Sequence, residues 1–135
     1  MRVLFVAVSV AAFGVLASSS SSGSGSSIVG EWSTSAGSTT EEWFFDSNGT
    51  CGLIVTQGAT SYCSSSGCTY TFDGSTLTIK TSSTGPNGVT TTTTYSETVA
   101  FASGDNSATV TQADAGTGGA ATYTRVNSNG DNSCP

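Results

Sequence analysis

From residue 28 onward, no segment of this sequence places apolar residues at helical spacing. Short runs rich in Thr, Val, Tyr and Phe alternate instead between apolar and polar positions. These runs predict nine strands, at approximately residues 28–34, 39–45, 50–56, 60–63, 68–72, 76–82, 88–101, 106–112 and 119–126. A meander of short antiparallel strands must close into a barrel or fold into a sandwich to protect its edges. The sequence therefore predicts an all-β fold, an antiparallel up-and-down meander closing into a small barrel of eight to nine strands.

Glycine-containing turns mark the ends of the predicted strands. Asp46-Ser47-Asn48-Gly49 is a four-residue hairpin loop, with glycine where a positive φ is needed. Asp73-Gly74 is a second turn signal, and residues 85–88 and 103–105 are two more. Such closely spaced turns favour sequential hairpins over long crossover connections.

The first 17 residues have the pattern of a secretory signal peptide. A positive start at Met1-Arg2 precedes an apolar run over residues 3–16, and a cleavage point follows Ala17. The run is about 14 residues long, shorter than the roughly 20 that an anchoring helix needs to span a bilayer. We therefore expect a secreted, extracellular protein with no membrane insertion.

The remaining chain divides into three parts. Residues 18–27 contain only Ser and Gly, and we expect them to form a flexible tether that is either O-glycosylated or an unmodified spacer. Residues 28–126 form the predicted barrel domain. Residues 127–135 form a polar C-terminal tail, which Cys134 is expected to tie back to the barrel.

Charge and composition exclude several classes of function. The chain has 3 basic and 9 acidic residues, a net charge of −6, and no histidine. Nucleic-acid binding needs clustered Lys and Arg, so a nucleic-acid partner is not expected. The absence of histidine removes the Ser-His and Cys-His nucleophile pairs and the commonest metal ligand. We expect no cofactor and no bound metal.

The four cysteines all lie in the mature part of the chain. An even number in an oxidising compartment predicts two disulfides, for which three connectivities exist. Zinc binding is the alternative, but Cys63 and Cys68 have no matching second pair. Because a four-residue loop separates Cys63 from Cys68, we expect these two to be bonded across a hairpin. Cys51 would then be bonded to Cys134.

Side-chain parity predicts what the barrel interior contains. In residues 88–101 the odd positions form the inner face, which is apolar at one end and polar towards the other. An interior of mixed aromatic and hydroxyl character is either a small binding cavity or a filled core. The candidate cavity-lining residues are Trp43, Phe45, Tyr70, Phe72, Tyr95 and Tyr123.

The carboxylates do not form a recognisable catalytic pair. Glu41 and Glu42 are neighbours on a strand, so they point to opposite faces and cannot act together as acid and base. Glu97 points inward, where it either pairs with Arg125, lies at an open rim in water, or acts as a catalytic acid. Without a nucleophile beside a base, we do not expect an enzyme.

The run Thr90–Thr94 has two interpretations. A flat, repeated threonine array is what an ice-binding face requires. One short, twisted strand does not supply such an array, so a solvated β-ladder is the simpler interpretation.

Several short motifs resemble the lipocalin and calycin superfamily. Gly30-Glu31-Trp32 resembles its Gly-x-Trp signature, residues 42–50 its second strand and hairpin, residues 70–79 its middle hairpin, and residues 123–126 its closing strand. The resemblance implies that Gly30 and Trp32 lie at the closed end of a calycin-like barrel. It also implies that Arg125 packs over the Trp32 ring in a cation–π contact.

Streptavidin-like barrels also begin with Gly-x-Trp, but their ligand site uses tryptophans on later strands. The present chain has no tryptophan after Trp43. Biotin binding is therefore not expected.

Two functions from different classes follow from these observations. The first is a secreted calycin-like binding protein for a small apolar or amphipathic ligand. The second is a secreted surface or matrix structural protein, or a protease inhibitor, which contacts an extracellular protein or matrix partner through the exterior of the barrel. A cavity of a few hundred Å³ among the aromatic residues would distinguish the first from the second.

Asn48-Gly49-Thr50 is an N-glycosylation sequon on a predicted hairpin tip. If the source is eukaryotic, we expect a glycan on Asn48. The alternative is that Asn48 and Gly49 serve only to form the turn.

Overall fold

The structure is a computed structural model that describes residues 27–112 and 119–129. It confirms the predicted all-β fold, with nine antiparallel strands and no helix in the described residues. The strands are β1 (Gly30–Ala36), β2 (Thr39–Phe45), β3 (Cys51–Gln57), β4 (Thr60–Ser64), β5 (Cys68–Phe72), β6 (Thr76–Thr84), β7 (Thr90–Phe101), β8 (Ser107–Gln112) and β9 (Ala120–Asn127). Their bounds lie within two residues of the predicted ones.

The strands form one sheet that curls into a nearly closed barrel. Their order is β4-β3-β2-β1-β9-β8-β7-β6-β5, so every connection along the chain except that from β4 to β5 joins sheet neighbours. The first strand, β1, also pairs with the last, β9. The sheet returns on itself where β5 meets the start of β3. There Thr50 and Thr69 form an antiparallel bridge, and the Tyr70 amide donates to the Gly49 carbonyl at 2.9 Å.

The connection between β4 and β5 differs from the expected hairpin. Ser64 lies opposite Leu53 on β3, and Thr69 lies opposite Thr50 at the start of the same strand. Both β4 and β5 are therefore antiparallel to β3 on the edge that β2 does not occupy. They follow each other along this edge and do not pair with each other.

This arrangement contradicts the predicted disulfide pairing. Cys51 is bonded to Cys68, with a Cα–Cα distance of 5.0 Å, so the expected pairs Cys63–Cys68 and Cys51–Cys134 are wrong. The reason is that β5 meets the start of β3, which places Cys68 opposite Cys51, the first residue of β3. Cys63 is also disulfide-bonded, and Cys134 lies outside the described residues. The Cys51–Cys68 bond is buried and joins the two strands at which the barrel closes.

The break between β4 and β5 depends on Gly67. Its φ is +71°, and its carbonyl accepts a 3.0 Å hydrogen bond from the Ser82 amide on β6. A Cβ at this position would lie 2.6 Å from the Ser82 carbonyl oxygen. Because Gly67 has no Cβ, the chain can pass close to Ser82 on β6 at the point between the end of β4 and the start of β5.

The core occupies the interior of the barrel, as the parity of the strands predicts. Leu77, Ile79 and Val99 are buried on β6 and β7, whereas the residues between them on each strand point outward. Aromatic rings fill the space between the walls. Phe45 meets Tyr70 edge-on at 4.9 Å between ring centroids, and Phe72 meets Phe101 edge-on at 5.8 Å. Such edge-to-face pairs are a favourable geometry for aromatic packing.

Two of the predicted segments lie largely outside the described residues. These are the signal peptide, residues 1–17, and the tether, residues 18–27, of which only the last residue is described. Residues 113–118 and the end of the tail, residues 130–135, also lie outside the described part. No helix that is long and apolar enough to cross a membrane occurs in the described part of the chain.

Candidate functional site

The first strand meets the last where Arg125 lies over Trp32. The Arg125 Cζ atom is 4.2 Å from the centroid of the Trp32 ring, the arrangement that the calycin resemblance implies. Trp32 is 2% exposed, and its indole nitrogen donates a 2.8 Å hydrogen bond to the Ile28 carbonyl. The ring is therefore fixed by a polar contact at its edge and by the guanidinium on its face.

Arg125 also ties the N-terminal segment to the barrel. Its guanidinium donates to three carbonyls, those of Ser27 at 2.6 Å, Val29 at 2.5 Å and Asp105 at 2.9 Å. Burial lowers the pKa of Arg125, and the Asp105 carboxylate partly opposes this effect. Because its donors point to these carbonyls, Arg125 does not pair with Glu97, which was one of the alternatives for that carboxylate.

Gly30 is required by the close approach of β9 to β1. Its φ is +131°, and a Cβ there would lie 2.5 Å from the Asn127 carbonyl oxygen and 2.9 Å from Arg125 Nη1. The pairing of β1 with β9 shifts register between Glu31 and Trp32. The glycine of the Gly-x-Trp motif therefore has a steric role at the strand junction.

A second group of polar side chains lies further along β9 on the same inner face. Tyr123 Oη donates a 2.7 Å hydrogen bond to Glu41 Oε1. The Trp43 indole nitrogen donates to the same oxygen at 2.6 Å. Burial raises the pKa of Tyr123 strongly, and the nearby Glu41 and Glu97 charges add to the effect. We call Glu41, Trp43, Tyr123 and Glu97 the interior polar cluster.

Glu97 lies inside the barrel, as its parity predicts. It is half-buried on β7, opposite Leu77 on β6 and Gln112 on β8. Burial raises the pKa of its carboxyl group, the Glu41 charge raises it further, and a hydrogen bond from the Gln112 side chain opposes both. The environment is therefore unfavourable for an ionised Glu97, because none of the groups that shift its pKa is a cation.

A small cavity lies next to this cluster, inside the described part of the barrel. Its volume is about 20 Å³, and a single water molecule needs about 10–15 Å³. Ligand sites for small molecules are typically about 300–1,000 Å³. The cavity is lined by Ile28, Trp32, Trp43, Phe45, Leu77, Ile79, Glu97, Ala108, Val110 and Tyr123.

The six candidate lining residues have different positions. Trp43, Phe45 and Tyr123 line the cavity, and the Trp43 and Phe45 rings stack with an interplanar angle of 6°. Tyr70 and Phe72 pack against the core instead, and the Tyr70 hydroxyl donates a 2.6 Å bond to the Asp46 carbonyl. The remaining candidate, half-buried Tyr95, lies opposite Ile79 in the β6–β7 pairing.

The remaining carboxylates are spread over the barrel. Glu41 points inward and Glu42 outward, as their neighbouring positions on β2 predict. Burial and the Glu42 charge raise the pKa of Glu31, while a hydrogen bond from Asn127 lowers it. In the described part of the chain, no group of three or more Cys, Asp or Glu residues is placed to hold a metal ion.

Sequence reasoning missed the role of Glu41. In the sequence, Glu41 stands out only as the neighbour of Glu42, with which it cannot form an acid–base pair. The available signal was its spacing from Trp43 and Phe45, since residues two and four apart on a strand share a face. The spacing does not predict the contact of Glu41 with Tyr123, which is 82 residues away.

The sequon residue Asn48 lies at an exposed turn between β2 and β3. Its Oδ1 atom accepts hydrogen bonds from the Thr50 amide at 2.9 Å and the Thr50 hydroxyl at 2.7 Å. Gly49 has a φ of +87°, and the turn is closed by a 2.9 Å bond from the Asp46 amide to the Thr50 carbonyl. Asn48 thus has the expected turn role, and its glycosylation stays a prediction.

Comparison with known proteins found no matching family model, no matching curated protein and no matching solved structure. The described geometry, a nearly closed antiparallel barrel of nine strands, is compatible with a calycin-like fold.

Proposed function

We propose that this chain is a secreted, calycin-like surface or matrix protein that acts through the exterior of a filled barrel. The observation that carries this proposal is the small volume, about 20 Å³, of the cavity among the barrel's aromatic side chains, which is enough for one water-sized molecule. A buried disulfide supports secretion, because such bonds persist in oxidising compartments. The Arg125–Trp32 contact supports the calycin-like assignment.

The packing of the interior also supports an exterior function. Phe45 lies between two aromatic partners, stacked on Trp43 at 5.9 Å and edge-on to Tyr70 at 4.9 Å between centroids. Trp43 and Tyr123 are held in place by hydrogen bonds to the same Glu41 oxygen. A ligand of many atoms would have to displace these rings and break these bonds. A rigid, filled barrel is suited to presenting its outer surface.

Native mass spectrometry of the protein isolated from its own source tests this proposal. The expected result is the mass of the mature polypeptide with any covalent modifications, unchanged when the spray conditions are made harsher. A noncovalently held organic molecule, released on activation, would overturn the proposal. Deglycosylated protein serves as the control, because it separates covalent glycan mass from ligand mass.

The second candidate function is the binding of a small amphipathic ligand. One observation favours it: Glu97 and Tyr123 bring polar atoms to a cavity whose other walls are apolar. This function requires the aromatic side chains around the cavity to move apart. Titration with a fatty acid and a fatty amine of equal length, followed by tryptophan fluorescence, distinguishes it from the first. Saturable quenching that is altered in a Tyr123→Phe variant would favour the binding function.

A further inference from the structure

The outer surface of strands β5 to β9 is covered by hydroxyl side chains. Cross-strand register aligns them in rows that run from strand to strand. The first row is Thr71, Thr78 and Ser96, and the second is Thr76, Thr98 and Thr111. We call these six residues the threonine face. A third row continues it from β8 to β9 with Thr109 and Thr122.

The residues between these positions show that the threonine face points outward. Leu77, between Thr76 and Thr78, is 2% exposed, and Val99, next to Thr98, is 3% exposed. Val110, next to Thr111, lines the interior cavity. Because successive side chains on a strand point to opposite sides, the hydroxyls lie on the solvent side of the sheet. Their spacing is about 4.7–4.9 Å across strands and about 6.6–6.8 Å along them.

The outward strand positions of this surface carry little charge, and the exposed carboxylate of Asp73 lies at its edge, in the turn between β5 and β6. Among the outward positions of the described strands β5 to β9, Lys80 is the one charged residue. The acidic Glu31 and Glu42 point outward on β1 and β2, on another part of the barrel. Glu97, the acidic residue of β7, points inward. The protein therefore combines a net charge of −6 with an almost uncharged five-stranded surface.

The hydroxyls are held in a limited number of orientations. Threonine is β-branched and stiff at its first side-chain torsion, so little rotamer freedom remains to be lost on binding. Beyond the threonine face, β6 and β7 show direct side-chain bonds, Ser82 to Thr92 at 3.0 Å and Thr84 to Thr90 at 2.9 Å. A partner would meet an ordered set of hydroxyl and methyl groups.

We infer that the threonine face binds a neutral polysaccharide. An anionic polymer would be repelled by the net negative charge, and a cationic partner would be drawn to the outward carboxylates on β1 and β2. An uncharged polymer rich in hydroxyls matches a surface that is itself uncharged and rich in hydroxyls. This inference rests on the proposed exterior function and specifies its partner.

The shape of the surface favours a chain over a flat lattice such as ice. Neighbouring strands in a sheet rotate by roughly 20–25° relative to each other, so the rows on β5 to β9 do not lie in one plane. A polysaccharide chain can follow a curved row of hydroxyls and make many weak contacts at once. The rigid ice surface touches only the few residues that are coplanar.

Affinity gel electrophoresis of the mature protein tests the inference. The gels contain hydroxyethyl cellulose, laminarin or dextran as neutral probes and carboxymethyl cellulose as the anionic probe. We expect retardation by at least one neutral probe and none by the anionic one. The triple variant Thr78→Val, Thr98→Val, Thr111→Val keeps the side-chain shape but removes three hydroxyls. It should weaken binding by roughly tenfold or more, since each lost hydrogen bond contributes modestly.

A matched control removes three hydroxyls from the opposite side of the barrel. The variant Ser35→Ala, Thr40→Val, Thr56→Val changes outward residues of β1, β2 and β3, where Ser35 and Thr40 bond at 3.0 Å. It should bind the neutral probe like the wild type. Circular dichroism and the thermal midpoint of each variant show whether it is folded.

Four outcomes would overturn the inference. These are no retardation by any neutral probe, retardation by carboxymethyl cellulose alone, a triple variant that binds like the wild type, and a control variant that loses binding equally. Inhibition of ice recrystallisation that the triple variant abolishes would assign the surface to ice instead. Failure in these gels leaves the proposed exterior function intact, whereas a ligand seen by native mass spectrometry would overturn that function whatever the gels show.

Discussion

Tyr123 on the last strand donates a 2.7 Å hydrogen bond to Glu41 on the second strand, across 82 residues of sequence. The same Glu41 oxygen accepts a bond from the Trp43 indole at 2.6 Å. Two aromatic side chains are thereby fixed on a single carboxylate inside the barrel. Hydrogen bonds to charged groups are among the stronger ones, so this contact both orders the rings and occupies space that a ligand would need.

The stability of the barrel should depend on the protonation of Glu97. Burial and the Glu41 charge raise the pKa of Glu97 in the folded state, so the folded protein binds this proton more tightly than the unfolded chain. The stabilisation is fully present below the unfolded pKa, about 4.3, and is lost as pH rises through the folded pKa. We expect Glu97→Gln to raise the free energy of unfolding at neutral pH and to reduce its pH dependence.

Denaturant unfolding between pH 4 and pH 8 measures this effect. The outward Glu42→Gln variant is the control. It removes only the contribution of the Glu42 charge to the raised pKa of Glu31, so it should alter the pH profile less than Glu97→Gln does. Glu31, whose pKa is also raised by burial, contributes a dependence of the same sign that remains in the Glu97→Gln variant. An unchanged pH profile in Glu97→Gln would refute the role assigned to this carboxylate.

Arg125→Ala should destabilise the fold by about 1–2 kcal/mol, through loss of the cation–π contact and the packing of the side-chain stem. Arg125→Lys should recover only part of this loss, because a lysine cannot donate to three carbonyls in the same fork. Lys80→Ala, on an exposed position, should change stability by no more than about 0.5 kcal/mol. Urea denaturation midpoints of the three variants measure these effects. An unaltered midpoint for Arg125→Ala would contradict the stabilising role of Arg125 where β1 meets β9.

Gly30→Ala and Gly37→Ala form a matched pair. Both glycines have a positive φ, +131° at Gly30 and +61° at Gly37, so an alanine carries backbone strain of about 1–3 kcal/mol at either position. Only at Gly30 would the added Cβ also meet a backbone oxygen, at 2.5 Å, whereas nothing lies within 4 Å at Gly37. The clash should cost a further amount of about 1–3 kcal/mol. Equal thermal midpoints for the two variants would show that the β1–β9 approach is looser than described.

Disulfide mapping should find Cys51 joined to Cys68, and Cys63 joined to Cys134. The first pair is seen in the structure, and the second follows because Cys134 is the remaining cysteine of the chain. Electron-transfer fragmentation of unreduced peptides separates the pairs. Replacing Cys51 and Cys68 together by serine should cost about 3 kcal/mol, as expected for a sequence separation of 17 residues. A peptide that links Cys63 to Cys68 would contradict the path of β4 and β5 along β3.

The strands were predictable because each one carries its own signal. Alternation within residues 39–45 and 68–72 and a glycine after each short run are local features, and they gave the bounds of β2 and β5 without error. The Arg125–Trp32 contact was accessible through the resemblance of two short motifs to a known superfamily. Both kinds of information depend on residues close together in sequence or on a pattern already known.

The disulfide pairing and the interior polar cluster depend on register between distant strands. The four residues between Cys63 and Cys68 fit a hairpin, but β3 offers both flanking segments a longer pairing along one edge. Glu41 and Tyr123 meet only after β1 pairs with both β2 and β9. The volume left inside the barrel is likewise a property of the assembled side chains, and no single strand specifies it.

A crystal structure determined under xenon pressure would show whether the barrel interior is filled. Xenon enters apolar cavities that are large enough and dry. We expect no xenon among Trp43, Phe45, Ile79 and Val110 in the wild type, because the cavity there is only about 20 Å³. A folded Phe45→Ala variant, which opens a cavity at the same place, should bind xenon and shows that the method detects it. Xenon inside the wild-type barrel would show that the interior is not filled.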